Sequence, residues 1–101
     1  MKEQNKIAVL GGGSWATAIV KILSENLDTI GWYMRNEQAI DHIIENEHNP
    51  NYLQSAELNA KQLDLSSNIS EIVANYEILI FAIPSVFLTS ELKKLNTSIK
   101  Y

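Results

Sequence analysis

The 101-residue chain has the length and composition of one small globular domain, with 46% hydrophobic and 20% charged residues. Its formal net charge of −4, with eight Lys and Arg residues, argues against a nucleic-acid partner, and the absence of cysteine excludes disulfides, thiolate metal sites and cysteine nucleophiles. No apolar run approaches the roughly 20 residues of a membrane span, and the polar start over residues 1–6 is unlike a signal peptide. We therefore expect a cytoplasmic protein without a membrane span.

The first half of the chain predicts two strands and two helices. The short apolar run Ile7–Leu10 is typical of a strand buried on both faces. Helical spacing predicts a helix over residues 14–25, and β-branched and aromatic residues predict a strand over 29–34. Asn36 can cap the next helix, which places three isoleucines on one side: Ile40, Ile43 and Ile44.

The second half repeats this alternation. Residues 62–65 predict a short third strand, and Asn68 with Glu71 three residues later resembles a capping box at the start of a helix. Residues 77–83 are the most apolar run of the chain and predict a buried strand that ends at Pro84. One apolar stripe marks the helix before this strand (Ile69, Ile72, Val73 and Tyr76), and another marks a last helix (Phe87, Leu88, Leu92 and Leu95).

Strands that alternate with helices define the expected fold class, an α/β domain with a parallel sheet and flanking helices. The expected strand order is 3-2-1-4, the order of the first half of a Rossmann-type sheet. Its switch point lies between the first and fourth strands, where ligands bind beyond the carboxyl ends of the strands. Both the glycine run after the first strand and residues 83–85 belong at that edge.

The glycine run fits the G-x-G-x-x-G/A fingerprint of dinucleotide-binding loops. Gly11 permits a tight turn out of the strand, Gly13 lets the backbone approach a pyrophosphate, and Ala16 lets the helix lie close to the strand. The helix that follows presents free N–H groups to the phosphates. No Gly-Lys-Ser/Thr follows, which argues against a P-loop, and a glycine turn without a ligand is the alternative.

The end of the second strand bears on cofactor choice. An acidic residue there would hold the ribose hydroxyls of NAD, but this chain has Arg35. Because arginine can pair with the 2′-phosphate of NADP, Arg35 favours NADP or tolerance of both cofactors. A solvated arginine at a strand end is the alternative.

The remaining notable residues are ambiguous or uninformative. His42 and His48 are isolated histidines without a ligand pattern around them, so we assign no metal site. Trp15 is either a core residue at helical spacing or part of the phosphate loop. Phe87 is either a core residue or a wall of a nicotinamide pocket.

Four segments together resemble one family, the bacterial NAD(P)-dependent glycerol-3-phosphate dehydrogenases. Residues 11–18 (GGGSWATA) resemble its GxGSWGTA opening, with Ala16 in place of the commoner third glycine. Residues 32–36 (WYMRN) are similar to its second-strand end, 48–53 (HNPNYL) to its HENxxYL segment, and 80–85 (IFAIPS) to its A-V-P-S turn. The matches run in order over residues 7 to about 95, so the combination is far more specific than the glycine loop alone.

The resemblance implies an enzyme that reversibly interconverts dihydroxyacetone phosphate and sn-glycerol 3-phosphate by hydride transfer, feeding phospholipid synthesis. It implies cofactor contacts from Ser14, Trp15 and Arg35, with Phe87 beside the nicotinamide. With the glycine loop and the turn at residue 84, the predicted site for NADP or NAD comprises Gly11, Gly12, Gly13, Ser14, Trp15, Arg35, Pro84 and Phe87.

The resemblance also implies that the substrate-binding groups of the family are not among residues 1–101. The substrate-binding lysines of the family and its helical substrate domain come after the point that corresponds to Tyr101. We therefore expect residues 1–101 to be the N-terminal part of a dinucleotide-binding domain that is inactive by itself, and we assign no catalytic residue. Lys93 and Lys94 are read as a solvated helix end. The apolar strand over 77–83 would leave an unpaired edge, so we expect self-association, as a homodimer or an aggregate.

Two other functions remain open on the sequence. One is a non-catalytic module that binds or senses a dinucleotide. The other is a methyltransferase that uses S-adenosylmethionine, although such a protein would carry an acidic residue where Arg35 and Asn36 stand.

Overall fold

The fold is a four-stranded parallel sheet with helices on both faces. The computed structural model describes residues 6–47, 49, 58–83, 89–90 and 93. The elements in chain order are β1 (Ile7–Leu10), α1 (Ser14–Leu23), β2 (Ile30–Tyr33), α2 (Glu37–Asn46), a 3-10 turn (Ala60–Gln62), β3 (Leu63–Ser66), α3 (Ile69–Asn75) and β4 (Ile78–Phe81).

The strand order is β3-β2-β1-β4, and every neighbouring pair is parallel, which confirms the predicted fold class and order. The registers place Leu10 beside Tyr33 on one side and beside Phe81 on the other. The carboxyl ends of β1, β2 and β4 therefore meet at one edge of the sheet. The switch point lies there, because the chain leaves β1 toward β2 but later returns to pair β4 on the opposite side of β1.

Period-two alternation along β1 divides the core between the two faces of the sheet. Val9 and Trp32 belong to the larger cluster, which buries one apolar face of α1 and one of α2. Ala8 and Leu10 belong to the smaller cluster, which α3 covers through Ile69 and Ile72. This two-sided burial explains why the β1 sequence is continuously apolar rather than alternating.

Asparagine side chains start two of the helices. Asn36 Oδ1 accepts hydrogen bonds from the N–H groups of Gln38 and Ala39 at 3.0 and 3.2 Å, which confirms the predicted cap of α2. Asn68 caps α3 in the same way. The expected capping box is incomplete, however, because Ser66 Oγ, not the Glu71 carboxylate, accepts from the Asn68 N–H, at 3.0 Å. The serine hydroxyl thus takes the place of the reciprocal glutamate bond, while the Asn68 side chain caps the helix as expected.

Element boundaries differ from the predicted ones by one or two residues, as expected where helices fray and strands diverge. The first helix ends at Leu23 rather than at residue 25, and the third strand is shifted by one residue to Leu63–Ser66. The second and fourth strands are shorter than predicted. Of the predicted last helix, only Thr89 and Ser90 are described as helical, and most of it lies outside the described residues.

Two predictions about burial were wrong. Ile44, which the spacing places on one side with Ile40 and Ile43, is 55% exposed, because the buried face of α2 consists of Ala39, Ile40 and Ile43. The strand predicted to be buried, β4, is half-exposed, and its first residue Ile78 is 40% exposed. The physical reason is position, since within the described residues β4 pairs with β1 alone and forms an edge of the sheet.

A tyrosine ties β3 to the segment before β4. Tyr76 donates a hydrogen bond from its hydroxyl to Asp64 Oδ2 at 2.7 Å. Burial of the ring and the neighbouring Asp64 carboxylate together raise the pKa of Tyr76 above its ordinary value, so the hydroxyl stays protonated and remains a donor. Among the described residues, none of the helices combines the length and apolar character needed to cross a bilayer.

Candidate cofactor-binding site

The glycine loop begins where β1 ends and packs against the ends of β2 and β4. Gly11 has φ of +134°, a conformation that side chains disfavour, and a Cβ at this position would overlap the carbonyl oxygen of Ala82. The Gly11 N–H donates to the Tyr33 carbonyl at 2.9 Å, and the Ala82 N–H donates to the Leu10 carbonyl at 2.8 Å. The turn is therefore held against the ends of both β2 and β4, at the switch point.

The second fingerprint glycine faces open space. Among the described residues, no atom lies within 4 Å of a Cβ built on Gly13. Gly12 is different, because its added Cβ would lie 3.1 Å from the Cβ of Met34. Gly13 therefore offers a cradle in which a ligand can approach the backbone directly, as the fingerprint predicts for a pyrophosphate.

The start of α1 is suited to an anion. Gly13 occupies the N-cap position in extended conformation and brings no side chain to cap the helix, and the first turn carries no acidic residue. The N–H groups of Ser14, Trp15 and Ala16 consequently have no partner within the helix. Together with the positive end of the helix dipole, they can bind a phosphate. Ala16 is completely buried, which lets the helix lie close to the sheet as predicted.

The structure brings six of the eight predicted site residues to the carboxyl edge of the sheet: Gly11, Gly12, Gly13, Ser14, Trp15 and Arg35. Trp15 is 68% exposed, so its interpretation as a core residue was wrong, and an indole ring stands at the mouth of the loop. Arg35 is exposed and comes two residues after β2 ends. Pro84 and Phe87 lie outside the described residues, and their roles stay predictions.

Three buried polar side chains hydrogen-bond to the loop or its neighbours and were not singled out from the sequence: Thr17, Trp32 and Asn49. The sequence places Trp32 in a strand and Asn49 in a turn, and each belongs to a segment that resembles the family, but neither is predicted to contact the glycine loop. The one available signal was chemical, since a buried indole N–H or amide requires an acceptor. Nothing local in the sequence identifies that acceptor.

Another concave region lies at the carboxyl end of β3, beside α2 and α3. It is an open depression of about 390 Å³, lined by Glu37, Ile40, Asp41, Leu65, Ser66, Ser67 and Glu71. Its three carboxylates would repel phosphate, so the glycine loop is the better anion site. In the described part of the chain, no group of three or more His, Cys, Asp or Glu side chains could hold a metal ion.

These features define the class of protein. A parallel sheet in the order 3-2-1-4, a glycine turn at the switch point and an open helix N-terminus behind it together make a Rossmann-type dinucleotide-binding domain. Residues 6–101 match the family model described as NAD-dependent glycerol-3-phosphate dehydrogenase N-terminus. The chain belongs to this family.

Curated relatives agree with the family model. A glycerol-3-phosphate dehydrogenase [NAD(P)+] of Clostridium botulinum is 34% identical over 98 residues, covering 95% of this chain and 29% of the relative. The enzyme of the same name from Rickettsia felis is 30% identical, covering 96% of this chain and 30% of the relative. That of Pseudomonas aeruginosa is 34% identical over 85 residues, covering 84% and 25% respectively.

This chain therefore spans about three-tenths of the length of the first two relatives. The predicted family resemblance is confirmed, and so is the predicted cofactor class, NAD or NADP, which is the class named by the family.

Proposed function

We propose that this chain binds the pyrophosphate of NADP or NAD at its glycine loop, as the cofactor-binding part of a glycerol-3-phosphate dehydrogenase. The observation that carries the proposal is the open cradle at Gly13, directly in front of the uncapped N-terminus of α1 and beside the switch point. Backbone N–H groups there can meet two phosphates without a competing carboxylate in the first turn of the helix.

In this function the chain binds and orients, and the chemistry comes from the cofactor. A bound, reduced nicotinamide would supply the hydride that, together with a proton, reversibly converts the ketone of dihydroxyacetone phosphate to the alcohol of sn-glycerol 3-phosphate. The N–H groups of the glycine loop and of Ser14 and Trp15 would hold the pyrophosphate, and Arg35 would face the adenosine end of the cofactor. We propose that Pro84 and Phe87 lie at its nicotinamide end.

We further propose that residues 1–101 are the N-terminal part of the dinucleotide-binding domain, and that the groups that bind and polarise the substrate belong to another part of the protein. The coverage of the relatives supports this division, because this chain matches only 25 to 30% of their lengths. No residue of this chain is assigned a catalytic role. A role in phospholipid synthesis and a cytoplasmic location stay predictions from the sequence.

Titration calorimetry of the chain with NADPH, NADH and S-adenosylmethionine tests the binding function. We expect heat of binding with at least one nicotinamide cofactor and none with S-adenosylmethionine. Preference for S-adenosylmethionine would overturn the proposal in favour of a methyltransferase. The enzymatic part is tested with the protein that carries this chain together with a substrate domain, by following NADPH or NADH oxidation with dihydroxyacetone phosphate. Binding without turnover in that protein would favour a sensor module.

Arg35 is expected to select the cofactor. A guanidinium that pairs with the 2′-phosphate makes a charge-assisted bond that NADH cannot replace. Arg35→Ala should therefore weaken NADPH binding about tenfold, equivalent to about 1.4 kcal/mol, and leave NADH binding nearly unchanged. The matched control is Lys61→Ala, which removes an exposed cation in the 3-10 turn before β3, at the opposite edge of the sheet. An equal loss of affinity for both cofactors, or no loss for either, would show that Arg35 does not select the cofactor.

We also propose that the chain self-associates through β4, as a homodimer or a larger aggregate. The support is the edge position of β4 within the described residues and the 40% exposure of Ile78. Exposed apolar edges tend to pair with another strand. Sedimentation equilibrium should show the mean mass rising with concentration. A single monomeric species over the whole range would contradict this proposal.

A further inference from the structure

Side chains from outside the glycine loop hold its carbonyl groups. The indole Nε1 of Trp32 donates to the Gly11 carbonyl oxygen at 2.6 Å. The amide Nδ2 of Asn49 donates to the Gly12 carbonyl oxygen at 3.2 Å. These donors come from β2 and from the segment after α2, so two separate parts of the fold converge on two consecutive peptide groups.

The third carbonyl is held from within α1. Thr17 donates twice to the Gly13 carbonyl oxygen, from Oγ1 at 2.8 Å and from its backbone N–H, as the first helical bond, at 3.0 Å. The Asn49 amide also donates to Thr17 Oγ1 at 3.0 Å, which links two of the donors to each other. We call Trp32, Asn49 and Thr17 together the carbonyl brace. Each of the three consecutive glycine carbonyls accepts one side-chain hydrogen bond from it.

The members of the carbonyl brace are buried. Trp32 and Thr17 are 0% exposed and Asn49 is 1% exposed. A ligand in the open cradle at Gly13 would therefore meet the loop backbone and not these side chains. Any effect of the carbonyl brace on a ligand must act through the orientation of the glycine peptides.

The orientation of those peptides decides what a phosphate meets. In a planar trans peptide the C=O and the following N–H point in opposite directions. Holding the carbonyls of Gly11, Gly12 and Gly13 toward the protein thus turns the N–H groups of Gly12, Gly13 and Ser14 away from the carbonyl brace. A flipped peptide would instead present a carbonyl oxygen to the anion. Three consecutive glycines flip readily unless something restrains them.

We propose that Trp32, Asn49 and Thr17 are positioning residues for cofactor binding, which preorganise the glycine loop so that its N–H groups face the pyrophosphate. This inference rests on the proposed function, since it assigns those N–H groups to the pyrophosphate of the cofactor. Preorganisation raises affinity because the ordering of the loop is complete before the ligand arrives. The contribution is selective, because only ligands that carry the pyrophosphate depend on it.

The test removes the Thr17 hydroxyl and compares the affinities of two ligands, one with a pyrophosphate and one without. Thr17→Val keeps the shape of the side chain but takes away the hydroxyl's bond to the Gly13 carbonyl and the acceptor of Asn49, while the backbone N–H of residue 17 still donates to that carbonyl. Calorimetry should show ADP-ribose binding weakened about tenfold, in line with the loss of groups that orient a ligand site from behind. Adenosine, which lacks the pyrophosphate, is followed by NMR shift titration and should bind Thr17→Val and the wild type equally.

Two further variants separate positioning from folding. Gln62→Leu is the matched control, because Gln62 Nε2 braces two other carbonyls, those of Ser24 and Leu27, both at 2.9 Å, in the connection from α1 to β2. It should lower stability without changing ADP-ribose affinity. Thr17→Ser keeps the hydroxyl and should restore affinity. If Thr17→Val does not fold, Trp32→Phe removes the indole donor, together with part of the buried ring volume, and is tested in the same way.

The possible results either support or overturn the positioning role of the carbonyl brace. A selective loss for ADP-ribose, rescued by Thr17→Ser and absent in Gln62→Leu, supports the carbonyl brace. An equal loss for both ligands, a similar loss in Gln62→Leu, or no loss at all overturns it while the proposed function stands. A wild-type chain that binds neither ADP-ribose nor NADPH overturns both.

Discussion

Replacing Gly11 with alanine is expected to lower the free energy of unfolding by about 3 kcal/mol or more. Two costs combine: the φ of +134° strains any residue with a Cβ, and that Cβ would overlap backbone atoms of Ala82. Backbone cannot rotate away as a flexible side chain would, so β4 or the loop must shift. Since a domain of this size is stable by only about 5–15 kcal/mol, the loss is a large fraction of the total.

Urea unfolding followed by circular dichroism measures this effect. The midpoint should fall markedly for Gly11→Ala while the slope m stays the same. The control is Gly13→Ala, two residues along the same loop, where φ is −84° and an added Cβ meets no described atom within 4 Å. Its weaker N-cap and its reduced unfolded-state entropy offset each other, so its stability should change by less than about 1 kcal/mol. Superimposable curves for Gly11→Ala and the wild type would refute the explanation.

Gly13→Val is expected to weaken cofactor binding strongly while leaving the stability of the fold almost unchanged. A valine side chain would fill the cradle in front of α1 and keep the pyrophosphate from the backbone N–H groups. The loss of two charge-assisted hydrogen bonds, each about 1.5–3 kcal/mol, weakens NADPH binding by at least about a hundredfold. The fold should persist, because among the described residues there is nothing near the added side chain to displace.

Calorimetry with NADPH, together with urea unfolding of the same sample, checks both halves of this prediction. Gly13→Ala should give an intermediate affinity, because a single methyl group obstructs the cradle less than an isopropyl group does. Undiminished NADPH binding by a folded Gly13→Val chain would mean that the pyrophosphate lies elsewhere. That result would count against the proposed site itself, whereas failure of the Gly11 prediction would leave the site standing.

The two glycines thus have different physical roles within one motif. Gly11 is needed by the protein, because the end of β4 passes too close for a side chain. Gly13 is needed by the ligand, because its missing side chain leaves room beside the helix N-terminus. The fingerprint alone described Gly11 only as a turn. Its close contact with Ala82 came from strand pairing across 71 positions of sequence, which no local pattern shows.

Side-chain exposure was the least predictable property. Trp15 has the spacing of a core residue, yet α1 turns it outward at the mouth of the loop. Ile44 follows a buried Ile43 and still faces solvent. Apolar periodicity shows which residues share a helix face. The width of the face that the sheet covers depends on how the helix packs. The apolar β4 sequence likewise does not reveal that the strand lies at an edge.

By itself, the sequence determined the class of fold, the strand order, the position of the glycine loop and the family. These follow from local signals, namely the alternation of strands and helices, the handedness of parallel crossovers, and motifs that span a few residues. Only the tertiary structure decided which distant side chains hold that loop. The hydrogen bonds from Trp32 and Asn49 join residues 21 and 37 positions apart, and such contacts exist only after the sheet has assembled.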